Sequence, residues 1–436
     1  MIGAYPQLLI SDKKGKVSEL FDIEACGMKA GVFFRLTAKD WIRLPFGSRL
    51  FMLPQRLAVG YAREERGFIT IASNPFSKTN KRCFAVSAFL PPGYTLTYNS
   101  AYRQIGNPKP LPLFAYAPVA FYKGNFFTTA VRVDRERRQD ERLMKTSKLK
   151  KNIQKLTKLF SGNRLVKHLE NCALTYNCPA AKNFFLIRYE APLPSSQTCN
   201  SQCFGCISLQ INKACPVTQP RIKFLPTPEE IAEIATFHIK NVRDPVVSFG
   251  QGCEGEPLCV ADTIESAIRL IRKKTTKGII NLNTNASKPR KIASLFDVGL
   301  DSIRVSINSV QEEYYKRYYK PRGYEFKDVK HSLRIAKRMK GFVSLNYLTI
   351  PGFTDSEKES SAFKCFLNTY KIDMIQWRNL NIDPYAYLRE IGFCPDGFKM
   401  TGIKELIDSI LINFPDIMVG YFNPSKERIS RRGRAG

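Results

Sequence analysis

Residues 199–206, with the sequence CNSQCFGC, carry three cysteines at the spacing CxxxCxxC. They follow the apolar run FFLI at residues 184–187, a pattern typical of a buried strand. The cysteines are therefore expected on a loop that leaves the carboxyl end of this strand. Three neighbouring thiolates suit an iron–sulfur cluster, and a [4Fe–4S] cluster with three protein ligands leaves one iron open for a substrate or cofactor. A zinc site is the alternative, although zinc favours four ligands and paired CxxC spacings.

A second motif, GQGCEGEP at residues 250–257, follows the next predicted strand. Glycines allow the backbone of a loop to approach a ligand closely. Carbonyl oxygens and a carboxylate in such a loop can accept hydrogen bonds from an ammonium group. Taken alone, this stretch also fits an ordinary glycine-rich turn.

The two motifs together resemble the signature of the radical S-adenosylmethionine (radical SAM) superfamily. The resemblance implies a [4Fe–4S] cluster held by Cys199, Cys203 and Cys206, with SAM bound to the open iron. It also implies that SAM is cleaved reductively to a 5′-deoxyadenosyl radical, which takes a hydrogen atom from the substrate. Two positions depart from the family pattern. Gly205 replaces the usual aromatic residue before the third cysteine, and Glu254 replaces the first glycine of GGEP.

The resemblance also implies a set of SAM-binding residues. They are Gly255 and Glu256 for the SAM amino group, Asn285, and the pair Ser306 and Asn308 for the SAM carboxylate and ribose. Asn285 belongs to NTNAS, residues 283–287, which is similar to the family's TNG element except that Ala286 stands at the usual glycine position. Ser306 and Asn308 lie two residues apart and therefore share one face of a predicted strand.

Apolar runs alternate with helical stretches from about residue 184 onward, which predicts an α/β fold of βα units with a parallel sheet. The predicted strands are 184–188, 246–249, 279–282, 302–307, 343–348 and 374–377. Six strands fit the open, partial (β/α)6 barrel that the resemblance implies, in which chemistry lies at the carboxyl ends of the strands. The polar stretch 376–381 at the end of the sixth strand is expected to line a cavity and contact substrate.

We predict four regions: a β-rich N-terminal domain at 1–131, a basic helical connector at 132–180, the radical SAM core barrel at 181–400, and a C-terminal helix with a basic tail at 401–436. Short apolar runs separated by turns predict a small antiparallel sheet or barrel in the first region. In the connector, Leu149, Ile153 and Leu156 recur at helical spacing and predict one or two amphipathic helices.

The chain has 12 cysteines and a net charge of +30. The cysteines are spread along a long chain, which favours reduced thiols and a cytoplasmic location over a secreted disulfide protein. No apolar run is long enough to cross a membrane, and no signal peptide is apparent. The positive charge fits a nucleic acid or another polyanion as partner, or a proteome that is rich in lysine.

Two basic segments are candidate nucleic-acid contacts. Lysines and arginines crowd residues 132–167, which fits a polyanion-binding face or a solvated linker helix. In EEYYKRYYKPR, residues 312–322, four tyrosines mix with basic residues, which fits nucleotide stacking or the packing of an amphipathic helix. The basic tail, residues 425–436, is expected to be mobile.

His168, Cys172 and Cys178 follow one another at close spacing. These residue types could ligate a second metal or an auxiliary cluster, or they could be buried small side chains. Three further cysteines are available as a fourth ligand, and the sequence does not select among them: Cys215, Cys253 and Cys259.

Three functional hypotheses follow. The first is a radical SAM enzyme that acts on RNA, with the basic connector as the docking surface. The second is a radical SAM enzyme that acts on a peptide or a small metabolite. The third is a non-catalytic Fe–S nucleic-acid-binding protein, which would not need a SAM pocket. Both enzyme hypotheses imply an electron donor such as flavodoxin or ferredoxin, and no membrane partner.

Overall fold

The computed structural model describes residues 5–75, 82–210, 215–395, 397 and 399–432. Two large sheets, one antiparallel and one parallel, are joined by three helices, and a two-stranded ribbon lies between the sheets. This arrangement confirms the predicted α/β class with a β-rich N-terminal region.

The N-terminal part is a twelve-stranded antiparallel sheet with the added ribbon β9–β14. Its strands are β1 (Gln7–Ser11), β2 (Val17–Lys29), β3 (Val32–Arg35), β4 (Ile42–Arg43), β5 (Arg49–Met52), β6 (Arg56–Ala62), β7 (Gly67–Ile71), β8 (Phe84–Phe89), β9 (Tyr94–Leu96), β10 (Asn99–Ser100), β11 (Tyr102–Gln104), β12 (Ala117–Tyr122), β13 (Asn125–Thr128) and β14 (Ala130–Arg132). The main hydrogen-bonded order is β11-β6-β2-β1-β8-β12-β13-β4. Aromatic and β-branched residues supply these strands, as their preference for a pleated, half-buried surface predicts.

The connector contains α1 (Thr146–Leu159), α2 (Arg164–Leu174) and α3 (Pro179–Phe185). In α1, the spacing of Leu149, Ile153 and Leu156 puts these side chains on one buried face, as predicted. Asn163 caps the start of α2 with its side-chain oxygen. The basic helix is shorter than predicted, because residues 133–145 form extended chain and a single 3-10 turn instead of a helix.

Seven parallel strands, in chain order, form the second sheet. They are β15 (Glu190–Pro192), β16 (Val246–Phe249), β17 (Ile279–Thr284), β18 (Ser302–Ile307), β19 (Phe342–Thr349), β20 (Met374–Asn379) and β21 (Met418–Gly420). The helices of this part are α4 (Pro228–Asn241), α5 (Ala261–Lys274), α6 (Pro289–Asp297), α7 (Glu312–Tyr319), α8 (Phe326–Arg338), α9 (Glu357–Tyr370), α10 (Pro384–Ile391), α11 (Ile403–Asn413) and α12 (Lys426–Arg432). The sheet curls around a polar interior and confirms the partial barrel.

Five of the six predicted strands coincide with β16–β20, but the first is wrong. Residues 184–188 lie at the end of α3 and in the turn after it, and the sheet begins at β15. Phe184 and Phe185 are fully buried, but a short apolar run does not distinguish a buried strand from a buried helical turn. Pro179 at the first position of α3 favours the helix. The cysteine loop still follows the first strand, because β15 precedes it.

The C-terminal segment also differs from its prediction. Residues 426–432 form α12, so this part of the tail is helical, and 433–436 lie outside the described residues. The strand β21 was not predicted, because three residues are too few for a periodic pattern. No helix within the described ranges has the length and apolar character needed to cross a membrane.

Buried polar contacts join the N-terminal sheet to the barrel. Arg56 Nη2 donates to Asp383 Oδ2 at 2.7 Å, and both side chains are almost fully buried. The Thr95 hydroxyl on β9 donates to the carbonyl oxygen of Trp377 on β20 at 3.0 Å. The Asn379 amide donates to the carbonyl oxygen of Tyr94 at 2.9 Å. The N-terminal part therefore packs against the carboxyl end of the sixth barrel strand.

Candidate active site

A cavity of about 440 Å³ opens at the carboxyl ends of the parallel strands. Its lining includes Cys199, Cys203 and Cys206 after β15, Gly255 and Glu256 after β16, Asn285 after β17, Ser306 on β18, Asn346 on β19, and Arg378 and Asn381 at the end of β20. Parallel strands end at one edge of the barrel, so motifs that are distant in sequence meet there. Every predicted site residue except Asn308 lines this cavity.

The cysteine loop is held by backbone hydrogen bonds to the end of α7. The N–H of Gln202 donates to the carbonyl oxygen of Tyr319 at 3.0 Å, and the N–H of Phe204 donates to that of Tyr318 at 2.9 Å. Beyond α7, the N–H of Arg322 donates to the carbonyl oxygen of Asn200 at 2.9 Å. These bonds fix the positions from which the three cysteines point into the cavity.

Burial dominates the electrostatics of two of the thiols. It raises the pKa of Cys199 to about 11, with a further contribution from the charge of Glu256. It also raises the pKa of Cys203 well above its ordinary value. For Cys206, burial acts in the same direction but is outweighed, because hydrogen bonds from Ser208 and its surroundings lower the pKa. Buried thiols of this kind become thiolates when a metal supplies the compensating positive charge.

The donor set fits a [4Fe–4S] cluster. The lining of this cavity, within the described chain, contributes three cysteines and no histidine. Cysteine thiolates are the ligands that hold iron–sulfur clusters. Three of them leave one iron free for SAM, whereas a closed structural zinc site needs four protein ligands.

Gly255 lies where the glycine-rich loop touches the segment that leads into the cysteine loop. Its N–H donates to the carbonyl oxygen of Ser196 at 2.7 Å, and the N–H of Glu256 donates to that of Thr198 at 2.8 Å. A Cβ added to Gly255 would lie 1.9 Å from the carbonyl oxygen of Thr198. The glycine is therefore required by a close approach within the chain itself, in addition to any approach by a ligand.

Glu254, which appeared in the sequence only as a departure from the family pattern, fastens the same two loops. Its carboxylate accepts hydrogen bonds from the N–H groups of Ser195 at 2.7 Å, Ser196 at 3.0 Å and Gln251 at 2.6 Å. Burial raises the pKa of Glu254 to about 7, and these N–H donors oppose that rise. Its role follows from contacts between distant segments, so no local pattern announced it.

Glu256 lines the cavity and is also bonded inside the protein. Its carboxylate accepts from the N–H groups of Asn285 at 2.8 Å and Leu258 at 3.1 Å, and from the Thr284 hydroxyl. Burial raises the pKa of Glu256 to about 7, and the bond from Thr284 opposes that rise most strongly. The assignment of Glu256 to the SAM amino group stays a prediction.

Asn285 bridges the third-strand loop to the cysteine loop. Its side-chain amide donates to Asn200 Oδ1 at 2.8 Å and to the hydroxyl of Ser201 at 3.1 Å. The next residue, Ala286, has a φ of 56°, in the left-handed region that favours glycine. This backbone conformation explains why glycine is usual at that position in the family pattern.

The other predicted pair is split by the structure. Ser306 lines the cavity, and its hydroxyl accepts from the amide of Asn346 at 3.2 Å. Asn308 is fully buried outside the cavity lining, where its amide donates to the hydroxyl of Tyr387 at 3.1 Å and to the carbonyl oxygen of Tyr314 at 3.2 Å. Asn308 follows the last residue of β18, so strict alternation no longer governs its direction.

The tyrosines of α7 belong to the core. Tyr314, Tyr315, Tyr318 and Tyr319 are all buried, which favours the packing interpretation over nucleotide stacking. Tyr318 also fills the space next to Gly205, the position at which the family pattern usually has an aromatic residue. A Cβ added to Gly205 would lie 2.8 Å from the Tyr318 hydroxyl oxygen.

A polar layer fills the interior of the barrel next to the cavity, and Asn423 is its centre. The Asn423 amide donates to Glu190 Oε1 at 2.8 Å, and its side-chain oxygen accepts from Gln376 at 3.0 Å and Arg304 at 3.4 Å. Asn423 lies in the C-terminal segment, and its side chain forms hydrogen bonds with residues of β15, β18 and β20. The sequence offered no motif that would have identified Asn423 or Glu190.

Two arginines in the cavity have no carboxylate within 4.0 Å in the part of the chain that the structure describes. Arg304 lies on β18, and burial followed by the charge of Arg378 lowers its pKa to about 9. Arg378 stacks on Tyr421 with its guanidinium carbon 3.9 Å from the ring centroid. The Nε atoms of both arginines are buried and have no hydrogen-bond partner among the residues that the structure describes. Neither guanidinium group is therefore neutralised by a carboxylate at ion-pair distance within the described residues.

Comparison with known proteins places these features in a family. Residues 193–363, which include the cysteine loop and β16–β19, match the family model of the radical SAM superfamily. This part of the chain is a radical SAM domain. No curated protein sequence matches the chain.

Several solved structures resemble this chain in fold. HydG, a maturase of the [FeFe]-hydrogenase, is 16% identical with a TM-score of 0.36, covering 63% of this chain and 66% of its own. SuiB from Streptococcus suis, bound to S-adenosylmethionine, is 15% identical with a TM-score of 0.35, covering 59% and 60%. HemN from Escherichia coli, a coproporphyrinogen III oxidase, is 10% identical with a TM-score of 0.36, covering 56% and 58%. The chain thus spans less than two thirds of the length of each of these proteins. With TM-scores this low, their activities are not assigned to this chain.

Proposed function

We propose that the chain is a radical SAM enzyme that abstracts a hydrogen atom from a substrate that carries an anionic group. A [4Fe–4S] cluster and SAM, when bound at the cysteine loop, would supply a 5′-deoxyadenosyl radical after one electron arrives from a donor such as flavodoxin or ferredoxin. The observation that carries the substrate class is the pair Arg304 and Arg378, which face the cavity with no carboxylate within 4.0 Å among the described residues.

The two guanidinium groups would hold the substrate. Desolvated like charges destabilise one another, and a carboxylate or phosphate between Arg304 and Arg378 would compensate both. Tyr421 stacks on Arg378 and keeps its guanidinium plane fixed for such a contact. The side-chain oxygen of Asn346 lies in the same lining and has no partner among the described residues, so it would accept a hydrogen bond from a substrate hydroxyl or ammonium group.

The experiment measures 5′-deoxyadenosine formed anaerobically by reconstituted enzyme with SAM and dithionite. Cell extract is separated into low-molecular-mass anionic, low-molecular-mass neutral and RNA fractions, and each is added in turn. We expect the small anionic fraction to raise the rate most. Treating that fraction with phosphatase distinguishes a phosphate from a carboxylate, because only a phosphorylated substrate loses its effect.

The matched variants are Arg378→Gln and Arg43→Gln, the latter at an exposed position on β4. Arg378→Gln should reduce stimulation at least tenfold at limiting substrate, since a charge-assisted bond is worth about 1.5–3 kcal/mol. Cleavage without substrate and iron content should stay near the parent values. Stimulation by the neutral fraction alone, or an undiminished response of Arg378→Gln, would refute the anionic substrate.

RNA is a second candidate substrate class, and the solvent face of α1 favours it. Six lysines of α1 and the residue before it are exposed, and none of them forms an ion pair with another described residue: Lys145, Lys148, Lys150, Lys151, Lys155 and Lys158. Residues 145–160 contain no acidic residue to offset them. A solvated basic face of this kind would dock a phosphate backbone through counterion release.

A further inference from the structure

A second cluster of side chains that could bind a metal lies outside the lining of the cavity of the three cysteines. His168 and Cys172 are four residues apart on α2, so their side chains share one face of that helix. Cys253 comes from the glycine-rich loop after β16. The fold brings this loop against α2 and selects Cys253 from the three cysteines that the sequence left open.

The distances within this cluster match a single metal ion. His168 Nε2 lies 3.5 Å from Cys172 Sγ, and the ligand atoms of all three residues lie within 4.8 Å of one another. Tetrahedral zinc, with Zn–S bonds of about 2.3 Å and Zn–N bonds of about 2.0–2.1 Å, separates its ligand atoms by roughly 3.5–3.8 Å. A [4Fe–4S] cluster places each cysteine on a different iron and spreads the sulfur atoms further apart.

Burial strengthens the argument. Cys172 and Cys253 are only 1% and 4% exposed, and the cluster contains no carboxylate. Two buried thiols and an imidazole in contact are the donors that zinc prefers.

We propose that His168, Cys172 and Cys253 bind one Zn²⁺ ion, with Cys178 as the fourth ligand. Cys178 immediately precedes α3, and its N–H donates to the carbonyl oxygen of Cys172 at 3.0 Å. A thiolate from this turn would complete a Cys3His set.

The ion would act as a structural clamp. It would tie the connector helix α2 to the loop that carries Gly255 and Glu256, and thereby to the cofactor side of the cavity. The carbonyl oxygen of Cys253 also accepts a hydrogen bond from the N–H of Ile222 at 2.8 Å, which orients this part of the loop. The site does not depend on the proposed substrate, because it lies outside the cavity that contains Arg304 and Arg378.

The test is elemental analysis of the full chain, expressed in zinc-supplemented medium and purified without a metal-affinity tag. The triple variant Cys199→Ala, Cys203→Ala, Cys206→Ala lacks the predicted cluster ligands and should still contain about one zinc per chain. The double variant Cys172→Ser, Cys253→Ser should contain less than about a tenth of that amount, while reconstituted iron stays bound at the other three cysteines. Cys178→Ser should release zinc to a chelator at least tenfold faster than the parent.

Two matched controls are Cys215→Ser and Cys259→Ser, at the other positions that the sequence left open, and both should keep their zinc. Absence of zinc from the parent chain, or full zinc content in the double variant, would overturn the site. A disulfide between Cys172 and Cys253 in the freshly purified parent would also overturn it. Unchanged zinc release from Cys178→Ser would remove that residue from the ligand set.

A measurement on the parent chain alone covers the case in which the double variant does not fold. X-ray absorption at the zinc edge should show sulfur neighbours at about 2.3 Å together with a nitrogen neighbour at about 2.0–2.1 Å. A first shell made only of oxygen and nitrogen would contradict the assignment.

Discussion

Gly255 joins two loops at a point where no side chain fits. Its N–H is bonded to Ser196, and the carbonyl oxygen of Thr198 occupies the place of a Cβ. The segment 195–198 leads directly into the cysteine loop, so a shift here would be transmitted to the thiols.

We expect Gly255→Ala to lower the free energy of unfolding by about 1–3 kcal/mol and to reduce the iron retained after reconstitution, because overpacking forces the two backbones apart. Thermal unfolding and iron analysis measure the two effects. Gly162→Ala is the control, since a Cβ there meets nothing within 4 Å. Equal melting temperatures and iron contents for Gly255→Ala and the parent would contradict the packing argument.

Glu254 and Glu256 form a matched pair for separating loop structure from SAM binding. Glu256→Gln should weaken SAM binding about tenfold, the loss expected for one hydrogen bond to a charged group, with iron content near that of the parent. Glu254→Gln places an amide donor against backbone N–H groups and should instead destabilise the loops by roughly 1–3 kcal/mol. Calorimetric titration with SAM and thermal unfolding distinguish them. Unchanged SAM affinity in Glu256→Gln would remove that residue from the SAM site.

At the scale of a helix, α1 is amphipathic, with one buried apolar face and one exposed basic face. Its apolar face packs into the core through Leu149, Ile153 and Leu156, while its lysines stay in solvent. Charge reversal on the exposed face should therefore leave the fold intact.

Replacing Lys148, Lys150, Lys151 and Lys155 with Glu tests the RNA hypothesis. If α1 docks RNA, the slope of log affinity against log salt should fall by roughly 3, because four counterion-releasing contacts are lost. Filter binding to transfer RNA and ribosomal RNA at several salt concentrations measures the slope. The control reverses four exposed lysines in turns of the N-terminal part, Lys13, Lys14, Lys16 and Lys123. Equal losses in both variants would indicate net charge alone, and no loss in either would leave a small substrate as the better hypothesis.

Helix α4 contributes a pH-dependent contact beneath the first barrel strand. The ring Nε2 of His238 lies 3.2 Å from the carbonyl oxygen of Tyr189, just before β15. Burial lowers the pKa of His238 from 6.5 to about 4. The folded state thus keeps the ring neutral, whereas the unfolded state takes up a proton as the pH falls below 6.5. The contribution of His238 to the free energy of unfolding is therefore fully present above pH 6.5 and is lost as the pH falls toward 4.

We expect His238 to reduce the free energy of unfolding by up to roughly 3 kcal/mol as the pH falls from 6.5 to about 4. Denaturant unfolding at a series of pH values, compared between the parent and His238→Phe, isolates this contribution from that of other groups. His331→Phe is the control, since His331 is exposed. Parallel pH profiles for the parent and His238→Phe would contradict the prediction.

At the scale of the whole molecule, the N-terminal sheet and the barrel share buried charged contacts. Asp383 caps α10 and accepts from Arg56, and Lys29 Nζ lies 3.6 Å from Asp355 Oδ2 at a second junction. A buried charge is costly when its partner is absent. These ion pairs therefore favour the arrangement of the two parts in which both charges are paired.

Arg56→Ala should destabilise the protein by roughly 3–5 kcal/mol, because it leaves the Asp383 carboxylate buried without its partner. The double variant Arg56→Met, Asp383→Asn should recover part of that loss. Arg43→Ala, at an exposed position on β4, is the control and should change stability by less than about 0.5 kcal/mol. Denaturant unfolding measures all three, and equal stability of Arg56→Ala and Arg43→Ala would refute the structural role of the buried pair.

The sequence by itself determined the features that local patterns encode. The cysteine spacing and the GEP motif indicated the enzyme class, and five apolar runs marked β16–β20 because strands of that length leave a clear pattern. The same use of local patterns gave a wrong strand at Phe184 and Phe185, which form the end of helix α3. It also missed β15 and β21, which have only three residues each.

Only the tertiary structure decided which groups touch. It turned Asn308 away from the cavity, gave Glu254 a role between two loops, and placed Asn423 in the interior of the barrel. It also brought Cys253 to His168 and Cys172, which lie far from it in sequence. Such contacts arise when curled parallel strands bring their carboxyl ends together, and that closure depends on packing between distant segments rather than on any stretch of residues read alone.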